Sequence, residues 1–178
     1  MNAKAAWRSS VLPAVIVPAA VGTTVAGELR SRLDAQGYRP YALVDRGSYR
    51  VVDAPRVGDL LDVLAGIAAE ITGRAAKVAE ARALRLGPGD YLLTRHDRAY
   101  DDRPIELVLD LSPEPVAGAD VYWRHRGEVY FGMPSTPGAL AVVERGPTVM
   151  CNHAYVSRRW SGPDVVRLVV LLRDVAAG

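Results

Sequence analysis

Residues 121–144 read VYWRHRGEVYFGMPSTPGALAVVE, three short runs of strand-forming residues that are separated by turn residues. Valine and the aromatic residues favour strands, whereas the pairs Arg126-Gly127 and Pro137-Gly138 are typical of turns. Short strands that alternate with such turns are the pattern of all-β sandwiches and barrels. The stretch therefore predicts a β-rich fold.

The same alternation of strands and turns continues through residues 79–178 and predicts eight strands there. The predicted strands cover residues 81–86, 90–95, 105–111, 121–125, 128–133, 139–144, 148–156 and 165–172. Eight strands of this kind predict a jelly roll, also called a double-stranded β-helix and found in cupins, whose mouth can hold a ligand.

The beginning of the chain predicts elements that support this jelly roll. The apolar run 11–21 contains two prolines, which disfavour the helical part of a signal peptide, so we expect a buried or edge strand there. A helix is predicted from Thr23 or Thr24 to Gly37, because a capping residue is followed by an apolar stripe and then by glycine.

Two further segments complete the N-terminal part. The runs YALV and YRVV flank a turn at residues 45–48, and residues 57–78 have the apolar spacing of a helix that is broken near Gly73. The chain is therefore predicted to be one mainly β domain of the α+β class over residues 1–178. In it, residues 1–78 supply a strand and supporting helices, and residues 79–178 form the jelly-roll core.

Composition and charge exclude several classes of protein. The 178 residues are 49% hydrophobic and 24% charged with a net charge of +2, which is typical of a globular protein. Basic residues are dispersed, so nucleic acid is not a predicted partner. The run 11–21 is shorter than the roughly 20 residues of a membrane span, so no membrane partner is predicted either.

The cysteine content indicates the compartment. Cys151 is the single cysteine, so neither an internal disulfide nor a structural zinc site is expected. A reducing, cytoplasmic setting is predicted, and a free cysteine such as this one is usually a small buried hydrophobic residue.

A small-molecule or peptide substrate is the predicted partner of the protein. The sequence leaves open whether the chain forms a homodimer.

Two of the three histidines are candidates for a metal site. His96 follows the second predicted strand and His153 lies in the seventh, and these strands can be neighbours in a jelly roll. Asp97 would add a carboxylate. Two imidazoles and one carboxylate, with the other positions open, are the ligands that hold ferrous iron in oxygen-activating enzymes. His125 lies between two arginines at a hairpin and is predicted to be a turn residue.

These motifs resemble those of the iron(II)/2-oxoglutarate dioxygenases of the prolyl-4-hydroxylase type. The resemblance covers nearly the whole chain, although each motif is short. The similar segments are LGPGDYLLTRHD at 86–97, IELVLDLS at 105–112, PGALAVV at 137–143, the strand with His153, and VVRLVVLL at 165–172. The resemblance implies an oxidoreductase that hydroxylates or otherwise oxidises a small molecule or a peptidyl residue with Fe(II) and 2-oxoglutarate.

The resemblance also assigns roles to individual residues. His96, Asp97 and His153 would be the catalytic iron ligands, Arg167 would bind the C5 carboxylate of 2-oxoglutarate, and Tyr91 would donate a second hydrogen bond to it. A planar guanidinium matches a carboxylate with two parallel hydrogen bonds. The alternative for Arg167, which lies in an apolar strand, is an internal ion pair, because a buried arginine needs an anionic partner.

The first ligand pair departs from the family pattern. The family spaces its histidine and aspartate two residues apart, whereas the aligned triplet here is Arg95-His96-Asp97, with arginine in the histidine position. A one-residue bulge would turn His96 towards the metal, and Asp97, or Asp101 or Asp102, would complete the site. Without the bulge, the Arg95 charge would repel Fe²⁺.

If the bulge is absent and iron does not bind, two rival functions remain. One rival is a degenerate, metal-free jelly roll that catalyses a non-oxidative step, such as a cyclisation or an isomerisation, or that binds an anionic ligand. The other is a binding or interaction module without turnover. The arginine in the first ligand position favours both rivals over the oxygenase.

Overall fold

The structure is a computed structural model that describes residues 2–93, 104–146 and 148–175. Within these residues the helices are α1 (Ala3–Ser9), α2 (Thr23–Gln36) and α3 (Leu60–Thr72). The strands are β1 (Ala14–Val17), β2 (Arg39–Leu43), β3 (Gly47–Asp53), β4 (Ala76–Leu86), β5 (Tyr91–Leu92), β6 (Ile105–Asp110), β7 (Val121–His125), β8 (Glu128–Met133), β9 (Leu140–Glu144), β10 (Val149–His153) and β11 (Val165–Asp174).

The strands form one curled antiparallel sheet in the order β1-β9-β6-β11-β4-β3-β5-β10-β7-β8, with β2 on the side of β3. Val108 of β6 and Ala141 of β9 pack in one cluster with Val121 and Trp123 of β7. Strands that are distant in the sheet order therefore face each other across a shared interior, and the sheet folds back on itself. This arrangement confirms the predicted jelly roll.

The helices cover the outer face of the β9-β6-β11-β4 side. Leu33 of α2 and Leu64 of α3, both 0% exposed, pack in one cluster with Leu168 and Val170 of β11. Because side chains alternate along a strand, Arg167, Val169 and Leu171 point to the opposite face, into the barrel. The packing of the helices on Leu168 and Val170 therefore determines that Arg167, Val169 and Leu171 are the β11 side chains that face the barrel interior.

The same alternation holds on β6, the neighbour of β11. Ile105, Leu107 and Leu109 pack in the cluster that contains the helices, whereas Val108 belongs to the interior cluster. Glu106 and Asp110 share the face of Val108 and point into the barrel. All six residues of β6 are buried, so two acidic side chains lie inside the protein.

Most predicted strands agree with the structure. The bounds predicted for 121–125 and 128–133 are those of β7 and β8, and the buried or edge strand expected within 11–21 is β1, whose one partner among the described strands is β9. The strand predicted at 90–95 is described only over Tyr91–Leu92. None of the helices among the described residues is long and apolar enough to cross a membrane.

The break predicted near Gly73 is confirmed, because helix α3 ends at Thr72 and Gly73 caps it in the left-handed conformation with φ +73°. Two bounds differ from the prediction: the helix begins at Leu60 rather than at residue 57, and residues 76–78 belong to strand β4. The cap of α2 is Gly22 rather than Thr23 or Thr24. Helix α1, whose first turn is capped by the Asn2 side chain, was not predicted.

Candidate active site in the barrel

A cavity opens inside the barrel between β4, β6 and β11 on one side and β5 and β10 on the other. Its apolar wall includes Leu84, Leu92 and Val169. Its polar and reactive lining consists of Glu80, Arg82, Glu106, Arg145, Cys151 and His153. An apolar enclosure with a few converging ionisable side chains is the usual form of a ligand site.

His153 is the cavity residue that the sequence singled out. It is the last residue of β10, it is 4% exposed, and its register partners are Leu92 on β5 and Val121 on β7. Strand pairing on both sides fixes the backbone of His153, and its imidazole lines the cavity. Cys151 shares its face two residues earlier and also lines the cavity, as a half-buried thiol.

Arg167 lies at the interior face of β11 and is 1% exposed. Its Nη2 donates to the carbonyl oxygen of Ala119 at 2.6 Å and lies 3.6 Å from Oδ2 of Asp110, which is 0% exposed. Burial lowers the pKa of the Arg167 guanidinium, and the charge of Asp110 opposes that shift. The structure thus contains the internal ion pair that was the alternative role of this arginine.

Glu106 is a second buried acid, which the sequence analysis did not select. Its Oε2 accepts a hydrogen bond from Nε1 of Trp123 at 2.9 Å and lies 4.0 Å from Nε of Arg145, whose side chain is 9% exposed. An acidic residue in the apolar run IELVLDLS was the signal that could have identified it. Burial raises the pKa of the Tyr130 phenol nearby, and Glu106 adds to that shift.

Glu80 and Arg82 form another charged pair at the cavity, on β4. Nε of Arg82 lies 2.7 Å from Oε1 of Glu80 and 3.4 Å from Oδ1 of Asp53. These side chains are about a third exposed, so solvent weakens the pairing. The cavity therefore contains both charge signs, with acids and bases placed against each other.

Trp123→Phe is expected to lower the free energy of unfolding by about 1 to 3 kcal/mol, because it leaves a buried Glu106 oxygen without its indole donor. Urea denaturation measures the change. Trp160→Phe is the matched control: its indole donates to the carbonyl oxygen of Pro163 at an exposed site, and the expected loss is about 1 kcal/mol or less. Equal losses in the two variants would contradict the role given to the Glu106 contact.

The structure does not bring every predicted site residue to the cavity. His96 and Asp97, like Arg95, lie outside the described residues. Tyr91 lies on β5 beside Leu92, and strand alternation places Leu92 in the cavity and Tyr91 on the other face, where its ring centroid is 6.4 Å from that of Tyr155. The predicted contact of Tyr91 with a co-substrate has no support from this position.

The described residues fit the implied iron and 2-oxoglutarate in two respects. His153 offers one imidazole in the cavity, although no group of three or more His, Cys, Asp or Glu side chains that could hold a metal occurs within residues 2–93, 104–146 and 148–175. Nε of Arg167 is a buried donor without a hydrogen-bond partner in the described part of the chain, which suits a ligand carboxylate, although Arg167 is not among the residues that line the cavity.

Solved structures with the same architecture identify the fold. A 2OG-Fe(II) oxygenase-family oxidoreductase from Burkholderia pseudomallei superposes with a TM-score of 0.75 at 13% identity, over 96% of this chain and 89% of that one. The chain has the fold of the 2OG-Fe(II) oxygenases. No protein-family model matches the sequence, and no curated protein matches it.

Two further structures show the range of proteins with this fold. The viral collagen prolyl hydroxylase of Paramecium bursaria Chlorella virus-1, in complex with 2OG, has a TM-score of 0.70 at 12% identity, over 95% of this chain and 99% of that one. The alpha-ketoglutarate-dependent carbocyclase SnoK from nogalamycin biosynthesis has a TM-score of 0.73 at 15% identity, over 97% of this chain and 83% of that one. At such identities the likeness shows the fold alone.

Proposed function

We propose that the protein is an iron(II)- and 2-oxoglutarate-dependent oxygenase that hydroxylates or otherwise oxidises a small molecule or a peptidyl residue in the barrel cavity. The observation that carries the proposal is the His153 imidazole, which is buried in a cavity of the oxygenase fold. His153 would hold iron together with His96 and Asp97, and Arg167 would bind the C5 carboxylate of 2-oxoglutarate. Bound iron(II) with 2-oxoglutarate supplies the activation of O₂.

The residues of the chain itself would position the ligands and exclude water. Leu84, Leu92 and Val169 form an apolar wall of the cavity. Such a wall excludes water, and electrostatic interactions are stronger where water is excluded. Glu106 is held by Trp123 and Arg145, so its carboxylate is fixed within the cavity rather than free to rotate. A substrate with both polar and apolar parts suits this lining.

The second candidate is the metal-free jelly roll that catalyses a non-oxidative step or binds a ligand. The contact of Arg167 with Asp110 favours it, because the arginine already has an acidic partner of its own. Arg95 in the position of the first family histidine favours it as well. In such a protein His153 would serve as the proton donor or acceptor of the cavity.

Anaerobic addition of Fe(II) and 2-oxoglutarate tests the proposal. The wild-type protein is expected to develop a weak visible charge-transfer band and to retain iron after desalting, as measured by metal analysis. His153→Ala is expected to lose both the band and the iron, because it removes one imidazole ligand. His125→Ala is the matched control and is expected to behave as wild type. It changes a hairpin histidine whose Nδ1 shares a hydrogen bond with the hydroxyl of Thr148.

Two results would contradict the oxygenase proposal. One is a wild-type protein that neither binds iron nor shows the band, and the other is an unchanged iron content in His153→Ala. Retained binding of a small molecule by the iron-free protein would then favour the second candidate.

A further inference from the structure

Arg167 and Asp110 form a cross-strand pair inside the barrel. They are register partners on β11 and β6, and Nη2 of Arg167 lies 3.6 Å from Oδ2 of Asp110. Both side chains are at most 1% exposed, so little solvent screens their interaction. The charge of the guanidinium is therefore balanced by a carboxylate that belongs to the protein.

Hydrogen bonds on both carboxylate oxygens hold Asp110 in this position. Oδ1 accepts from the backbone N–H of Ser112 at 2.9 Å. Oδ2 accepts from the backbone N–H of Thr136 at 2.8 Å and from the hydroxyl of Ser135 at 3.2 Å. The carboxylate cannot turn away from Arg167 without losing these buried contacts, each of which is costly to leave unmade.

Arg167 keeps a donor that this pairing does not use. Nη2 donates to the carbonyl oxygen of Ala119, whereas Nε has no hydrogen-bond partner within the described residues. Asp120 also interacts electrostatically with Arg167 and adds a second acidic group to its surroundings. The guanidinium thus offers a hydrogen-bond donor in surroundings that carry no net positive charge.

We infer that Asp110 competes with ligand carboxylates for Arg167 and thereby sets the affinity of the protein for its co-substrate. A ligand carboxylate at Arg167 would lie close to the charge of Asp110, and like charges repel strongly in a poorly screened interior. The inference rests on the proposed function in taking Arg167 as the residue that binds the distal carboxylate of 2-oxoglutarate. Asp110 is then a specificity-determining residue that weakens dicarboxylate binding.

Asp110→Asn tests the competition, because it removes the charge and retains an oxygen that can accept from Thr136. Glutarate is the probe, since it has both carboxylates of 2-oxoglutarate but lacks the 2-oxo group that would bind iron. Calorimetric titration of the metal-free protein is expected to show a gain in glutarate affinity of about tenfold or more over wild type. Glutaramide, which is uncharged, is expected to show no gain.

Two control variants separate competition from a general change in charge. Asp174→Asn removes a carboxylate that pairs with Arg74 at the end of β11 and is expected to leave glutarate affinity at the wild-type value. The double variant Asp110→Asn/Arg167→Met is expected to lose the gain, because the guanidinium is absent. An Asp110→Asn protein that binds glutarate no better than wild type, or a double variant that keeps the gain, would overturn the inference.

A second variant covers the case in which Asp110→Asn does not fold. Asp110→Ser leaves space beside Arg167, and glutarate is expected to fill that space and to raise the Tm of this variant more than that of wild type. An equal effect of glutarate on both Tm values would overturn the inference. These measurements use protein without iron. Their results can therefore be interpreted even if the protein has no oxygenase activity.

Discussion

Arg167→Met is expected to lower the free energy of unfolding by about 3 to 5 kcal/mol, because it leaves the Asp110 carboxylate buried without its cationic partner. Asp110 is 0% exposed, so water cannot replace the lost interaction. For a chain of this length the loss corresponds to a fall in Tm of about 6 to 20 °C. Thermal and urea denaturation, followed by circular dichroism, measure it.

Two variants make this prediction specific to the pair. Arg173→Ala removes an exposed arginine from the same strand and is expected to change stability by about 0.5 kcal/mol or less. The double variant Arg167→Met/Asp110→Asn is expected to be more stable than Arg167→Met, because no buried charge is left unpaired. A double variant no more stable than the single one would show that the arginine contributes by packing rather than by its charge.

Leu168→Ala is expected to lower the free energy of unfolding by about 2 to 5 kcal/mol, through lost burial and the cavity left behind. Leu168 is 0% exposed and packs in the cluster that joins the helices to the sheet. Its neighbour Arg167 points to the other face, so this variant tests the outer packing without touching the interior charges. Urea denaturation provides the measurement.

Val63→Ala is the matched control for Leu168→Ala. Val63 is 54% exposed on α3, and its truncation is expected to cost about 0.5 kcal/mol or less. A similar loss in the two variants would contradict the assignment of Leu168 to the buried interface between helices and sheet.

The strands could be predicted because their ends are marked by local chemistry. Arg126-Gly127 and Pro137-Gly138 lie in turns whose glycines have φ of +90° and +83°, a conformation that favours glycine over other residues. At Gly138 a Cβ atom would also lie 2.4 Å from the carbonyl oxygen of Val21. The φ constraint acts within a few residues, so it can be recognised without knowledge of the rest of the fold, whereas the approach of Val21 to Gly138 is known only from the tertiary structure.

The end of α3 could be predicted from Gly73, but the start of β4 at Ala76 could not. Residues 76–78 continue the apolar spacing of the helix, yet they belong to β4, whose first residue, Ala76, is the register partner of Asp174 on β11. Pairing with β11 extends β4 back to Ala76, before the predicted start of this strand at residue 81. That partner is almost a hundred residues away and leaves no local signal.

The sequence by itself determined the approximate positions of the eight strands in residues 79–178, the single histidine of the seventh strand and the presence of Arg167 in an apolar run. Only the tertiary structure showed that β1, β2 and β3 join the same sheet, with β3 between β4 and β5. Only the tertiary structure decided that Asp110 is the partner of Arg167 and that Glu106 lines the same cavity as His153. The physical reason is that β6 and β11 are covered on both faces, by helices outside and by the opposite strands inside. A strand that is buried on both faces loses the alternation of apolar and polar residues, so its sequence does not show which side chains point inwards.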